Sequence, residues 1–158
     1  MNDDQRLMRR AIELAGVAAE NGDVPVGAVL IAGDVVVETF NEKERNADAT
    51  AHAEVLALRE ASRRLGRWRL SDATLYVTKE PCLMCAGAIL AARVRRLVYG
   101  ANDPKGGADG GAFDVLRSSK TNHRLEIDAG VLRGETAEQL RRFFEEKRDA
   151  EGIDRAAP

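Results

Sequence analysis

At 158 residues, 44% hydrophobic and 32% charged, the chain can bury one continuous core and is too apolar to stay unfolded. Its formal net charge of −2 excludes capture of a nucleic acid by overall charge, so such a partner would need a local basic patch. Two cysteines make no disulfide framework, the charged start MNDDQRLMRR lacks an apolar signal region, and no apolar run nears the roughly 20 residues of a membrane span; a cytoplasmic protein is expected.

A first helix is predicted over Asp3–Glu20, with Asn2 as N-cap, Leu7, Ala11, Leu14 and Ala18 on one face, and Asn21-Gly22 as the stop. VPVGAVLIAGDVVVETFN predicts strands over Gly27–Ile31 and Val35–Phe40, joined by a turn at Ala32-Gly33-Asp34. AHAEVLALREASRRL predicts a helix from near Thr50 to Gly66. ATLYVT, Ala73–Thr78, reads as a strand, followed by a helix with Pro81 at its first position, where a missing N–H costs nothing. RLVYGA, Arg96–Ala101, is a further strand. NDPKGGADGGA, with four glycines and a proline, must be irregular. LEIDAG, Leu125–Gly130, reads as the last strand, and the final helix is expected to open with Thr136 and Gln139 in capping-box spacing and run through LRRFFEEKRDA. Residues 1–150 are expected to form a single domain and residues 151–158, EGIDRAAP, a frayed tail. Strands alternating with helices behind an opening hairpin predict an α/β layered sheet that is not purely parallel.

Both cysteines, Cys82 and Cys85, stand in TKEPCLMCAGAIL. That C-x-x-C spacing serves a redox disulfide, half of a structural zinc site, or part of a catalytic metal site. Upstream, TAHAEVLAL offers His52 and Glu54. A catalytic zinc takes three protein ligands and keeps a fourth position for water; His52, Cys82 and Cys85 supply three, whereas a closed site would have to recruit the distant His123 or a carboxylate. Helix N-termini carry partial positive charge and unpaired N–H groups, which favour thiolates. Residues two apart on a helix do not share a face, so His52 and Glu54 reach one pocket only if His52 lies at the helix boundary, outside helical geometry. Glu54 then carries protons between the activated water and the substrate. Of the three readings, the joint pattern of H-A-E with P-C-L-M-C favours a catalytic zinc, one per chain.

TAHAE and EPCLMC resemble the motifs of the zinc deaminases of nucleobases, the cytidine deaminase superfamily. VPVGAVL, Asn41 after the second strand, DATLYVTKEPCLMCAGAI, YGANDPKGGADG and NHRLEI, in that order, resemble more closely the bacterial tRNA adenosine deaminases, which make inosine at the anticodon wobble position; the likeness runs from about Arg6 to Arg148. The resemblance implies a three-layer α/β/α fold with a mixed five-stranded sheet, a homodimer, and tRNA, bound through its anticodon stem-loop, as substrate. It implies that water attacks C6 of adenine while Glu54 protonates N1 and then the departing ammonia. It also implies that Asn41 reads the flipped base, with Val26 to Ala28 lining the pocket, and that Asp103, Lys105 and Asn122 contact the RNA. Phe143 and Phe144 match a family pair; adjacent helical residues point about 100° apart, so one ring can pack on the core while the other is free to meet RNA, and Lys147 and Arg148 fit phosphate contacts. Two departures stand out: Ala49 where the family often has proline, and Glu145-Glu146 where a more basic run is expected. Arg93, Arg95, Arg96, Arg117, Lys120 and Arg124 are the further candidates for a basic patch. The alternative is a deaminase of a free base or nucleoside, guanine or cytosine, with the same zinc site.

Overall fold

The computed structural model describes residues 1–152. The elements in chain order are α1 (Asp3–Glu20), β1 (Gly27–Ala32), β2 (Val35–Phe40), α2 (Lys43–Asn46), α3 (Ala53–Leu65), β3 (Thr74–Lys79), α4 (Leu83–Ala91), β4 (Arg96–Ala101), β5 (Glu126–Ala129) and α5 (Arg133–Ala150). The five strands form one sheet in the order β2-β1-β3-β4-β5. β1 runs antiparallel to both β2 and β3, while β3, β4 and β5 are mutually parallel neighbours. The sheet is therefore mixed, as the opening hairpin requires.

Alternation along the strands feeds two apolar layers. Ala28, Leu30, Leu75, Val77, Leu97 and Tyr99 pack with α3 and α4 residues such as Ala57, Leu58, Ala86 and Ile89. Val29, Tyr76 and Val98 point the other way, onto Met8, Ala11 and Leu14 of α1. Burial of both faces makes the expected three-layer α/β/α arrangement, and it explains why the central strands read as nearly continuous hydrophobic runs.

The helix ends depart from expectation in instructive ways. The capping box lies on α1, where Asn2 and Gln5 bond each other's backbone N–H reciprocally. Thr136 is no cap: it is buried in the first turn of α5, its Oγ1 donating back to the carbonyls of Leu132 and Arg133. It sits there because α5 crosses β4 at Gly100, where a Cβ would fall 2.6 Å from Thr136 Oγ1. Pro81 precedes the N-cap of α4 and is not its first helical residue, since Cys82 is still extended. α3 starts at Ala53, later than Thr50. The short α2 has no periodicity to betray it; Asp23, buried, supplies its N-terminal partner by accepting from the Glu44 N–H at 3.0 Å. Glu151 and Gly152 form a turn after α5, and the rest of the expected tail lies outside the described residues.

Candidate active site

His52 and Cys82 occupy the same position on their helices, the N-cap, with extended backbone (φ −76°, ψ 149° and φ −75°, ψ 177°). The non-helical His52 is what lets it share a pocket with Glu54, one turn-start further along. Cys85, buried, follows in the first turn of α4. His52 Nδ1 lies 3.6 Å from Cys82 Sγ and 3.4 Å from Cys85 Sγ, and the three ligand atoms all fall within 4.8 Å of one another. A tetrahedral zinc with the usual bond lengths puts a nitrogen and a sulfur ligand about 3.5 Å apart, so the spacing and the soft donor set fit that ion.

The electrostatics point the same way. The Cys82 thiol is lowered to about 3 by hydrogen bonds from Cys85 and His52. Cys85 is pushed up because it shares a proton with Cys82 and is buried beside Glu54. His52 is raised by its bond to Cys82. One thiol thus ionises more readily than the other, and a divalent ion held there would favour the thiolate form of both. Glu54, only 4% exposed, is raised above the ordinary carboxylate range by burial, the direction a proton carrier needs.

A small cavity of about 130 Å³ opens onto the cluster, lined by Val24, Val26, Asn41, Lys43, His52, Glu54, Lys79, Glu80 and Cys82. Asn41 is buried, and its Oδ1 accepts from the Ala53 N–H at 2.8 Å, replacing the cap that His52 does not provide. That bond fixes the amide so that its NH₂ is turned away from α3. Val26 and Ala28 both belong to the core cluster, but only Val26 lines the cavity; Ala28, expected beside it, is fully buried within β1.

A second, larger groove of about 570 Å³ gathers Asp103, Lys105, Phe144 and Arg148 with Asn102, Pro104, Leu140, Arg141 and Lys79. Phe144 is 40% exposed there and packs edge-on against Phe143, ring centroids 5.4 Å apart. Lys147 lies on the other side of α5, in a groove against α1 with Ile12 and Phe143. One residue along a helix turns about 100°, which separates it from Arg148. Asn122 is exposed in the segment before β5 and lines neither cavity. His123 is partly buried, its Nε2 2.7 Å from the Val94 carbonyl, so it anchors this segment and is no ligand.

Most arginines proposed for a basic patch are engaged within the chain. Arg96 pairs with Asp4 and Asp128, Arg117 with Asp109, Arg95 with Thr74 and Glu126, and Arg93 and Arg124 donate to backbone carbonyls. The positive charge at the site comes instead from Lys43, Lys79, Lys105 and Arg148 around the two cavities.

Sequence reasoning missed Glu80. It is fully buried and its carboxylate accepts from the N–H groups of Asp103 (2.9 Å), Asp109 (2.8 Å) and Gly111 (3.0 Å). The irregular loop wraps so tightly around it that a Cβ on Gly107 would lie 2.2 Å from the carboxyl carbon. Gly107 in turn bridges to Cys82, and Ala108 N–H donates to the Pro81 carbonyl at 2.8 Å. The glycine density of the loop was the visible signal that backbone closes on something there.

Residues 2–148 match the model of the MafB19-like deaminase family. The chain is 46% identical to the tRNA-specific adenosine deaminase of Haemophilus influenzae over 155 residues, 97% of this chain and 90% of that one. It is likewise 46% identical to the tRNA-specific adenosine deaminase of Bacillus subtilis, over 94% of this chain and 92% of that one. A solved structure from work on A-to-I editing by tRNA:A34 deaminases at the wobble position superposes with a TM-score of 0.79 at 43% identity, covering 85% of this chain and 99% of the other. A guanine deaminase from Nitrosomonas europaea shares the fold, with a TM-score of 0.73 at 22% identity over 90% of this chain and 85% of its own. With its His-Cys-Cys cluster, the chain belongs to the MafB19-like deaminases, alongside the tRNA-specific adenosine deaminases it matches over nearly its whole length.

Proposed function

We propose that this protein hydrolyses adenosine to inosine at the wobble position of tRNA, acting on the anticodon stem-loop. The observation that carries the reading is the buried Glu54 beside the His52, Cys82 and Cys85 cluster in a small cavity of about 130 Å³, within a chain 46% identical to tRNA-specific adenosine deaminases. His52, Cys82 and Cys85 would hold one zinc ion per chain, and zinc bound there supplies an activated water at neutral pH.

The chain's own residues do the rest. Glu54 takes a proton from the attacking water and delivers it to N1 of the ring as the C6–O bond forms. It then passes a proton to the amino group, which leaves as ammonia, so water and adenosine become inosine and ammonia. Asn41, its oxygen held by Ala53 N–H, offers its NH₂ to an acceptor on the base, and Val26 packs beside the ring. In the adjoining groove Lys105 and Arg148 meet phosphate and Phe144 offers a face on which an unstacked base can lie. A homodimer is part of the proposal; the apolar furrow of Val55, Leu58, Trp68, Ala88, Ala91 and Ala92 between α3 and α4, with Trp68 60% exposed, supports a second copy on that face. Light scattering of the purified protein reads its mass directly.

The test is deamination of an anticodon stem-loop RNA, with free adenosine, guanine and cytidine alongside and zinc measured on the same protein. Inosine is expected only in the RNA. Glu54→Gln should retain metal and fold while losing at least ~10²-fold in turnover, since it removes only the proton carrier. Ammonia from a free base with the RNA untouched would move the protein to the small-molecule deaminases, and a metal-free Cys82–Cys85 disulfide would end the hydrolytic reading.

A further inference from the structure

Among the described residues, Lys79 alone lines both the cavity at the metal-ligating cluster and the larger groove. It is the last residue of β3, paired with Ala101 at the end of parallel β4, and the carboxyl ends of parallel strands are where α/β sheets hold their ligands. Its side chain is about three-quarters covered, and Nζ sits 3.1 Å from Asp103 Oδ2. A strand that turns one base out into the small cavity must run its sugar–phosphate chain along the neighbouring groove. The phosphate at the junction then passes the Lys79 ammonium.

We propose that Lys79 is a substrate-binding residue whose ammonium holds the backbone phosphate of the nucleotide lodged in the cavity; this rests on the RNA reading above. In the free protein Asp103 stands where that phosphate will be. Its other oxygen already accepts from the N–H groups of Lys105 (3.0 Å) and Gly106 (3.2 Å), so Lys79 can change partner without leaving the carboxylate unheld. Glu80, the adjacent carboxylate, does not compete, because the loop N–H groups occupy it. Arg141, though it lines the groove, is tied to Glu138 and Glu145. Lys79 is the cation placed to read the join between base and backbone.

The experiment is binding of a fluorescently labelled anticodon stem-loop RNA, followed by anisotropy over a series of salt concentrations, for the wild type, Lys79→Met, Lys79→Gln and Lys79→Arg. Thermal melts establish that each variant is folded, and inosine formation by the wild type is measured on the same RNA. Lys79→Met and Lys79→Gln should each weaken binding by about 3- to 10-fold at low salt and reduce the slope of log K against log salt by about 0.7 to 0.9, one phosphate contact. Lys79→Arg should restore the slope. Weaker binding with an unchanged slope would mean that Lys79 only braces Asp103, and unchanged binding in both neutral variants would mean no contact; either result overturns the proposal, as does a wild type that binds no RNA. A wild type that binds with the expected slope yet forms no inosine would leave Lys79 assigned and overturn the reaction.

Discussion

A carboxylate as deeply buried as Glu80 is costly unless its charge is answered by hydrogen bonds, and here three backbone N–H groups answer it. The dependence is mutual: the loop that supplies those N–H groups has few apolar side chains of its own to pack, so the carboxylate is its core. Hydrogen bonds to a charged group contribute about 1.5–3 kcal/mol each and are not additive, so Glu80→Ala should destabilise the protein by about 3 kcal/mol, measured by urea unfolding with metal in excess. Glu80→Gln should recover only part of that, because its NH₂ must face at least one N–H. Amide exchange should accelerate at Asp103, Asp109 and Gly111 in both variants while the central strands stay protected. Unaltered exchange in the loop would show that something other than Glu80 holds it.

At the scale of elements, α1 was legible almost to the residue because everything that defines it is local: a cap, an i, i+4 apolar face and an Asn-Gly stop. The strands were legible for the same reason, and so was the grouping of His52, Cys82 and Cys85, which fall in two short motifs at helix starts and could hold a metal. What escaped was decided by contacts distant in sequence. Thr136 looked like a cap until Gly100 of β4 claimed it, α2 needed Asp23 from twenty residues back, and Lys147 parted from Arg148 only once α5 was docked. The way α1 docks gives a pH prediction. Asp4 accepts from Arg96 at 2.9 and 2.7 Å and from Tyr76 Oη at 2.8 Å, and the Arg96 hydrogen bond is the main cause holding its carboxyl below the usual 3.8. Because the folded-state value lies below the unfolded one, this contribution is fully present above about 3.8 and is lost as pH falls through the lower folded value. The stability difference between the wild type and Asp4→Asn should therefore be largest near neutrality and shrink below that pH. A gap that stays constant down to acid pH would mean that Asp4 docks α1 by shape alone.

For the molecule as a whole, the question is whether a metal held by His52, Cys82 and Cys85 would support the fold or only use it. Both apolar layers close without the cluster: α1 seals one face of the sheet, and α3 and α4 seal the other through Ala53, Ala57, Leu58, Ala86 and Ile89. This two-sided core buries most of the large apolar side chains and is where the stability resides. An ion held by the cluster would instead join the N-termini of α3 and α4. Removing the ion should then free those N-termini and leave the layers packed, unlike a small zinc module, which unfolds when stripped. A ligand present at 100 times its Kd stabilises by about 2.7 kcal/mol, which for a domain near this size is a Tm shift of about 5–10 °C. Dialysis against a chelator should accordingly abolish turnover, lower Tm by that order and preserve the far-UV circular dichroism at 25 °C, with activity returning when zinc is restored. Loss of the dichroism on stripping would show that α3 and α4 depend on the ion for their packing, and would make the centre structural as well as catalytic.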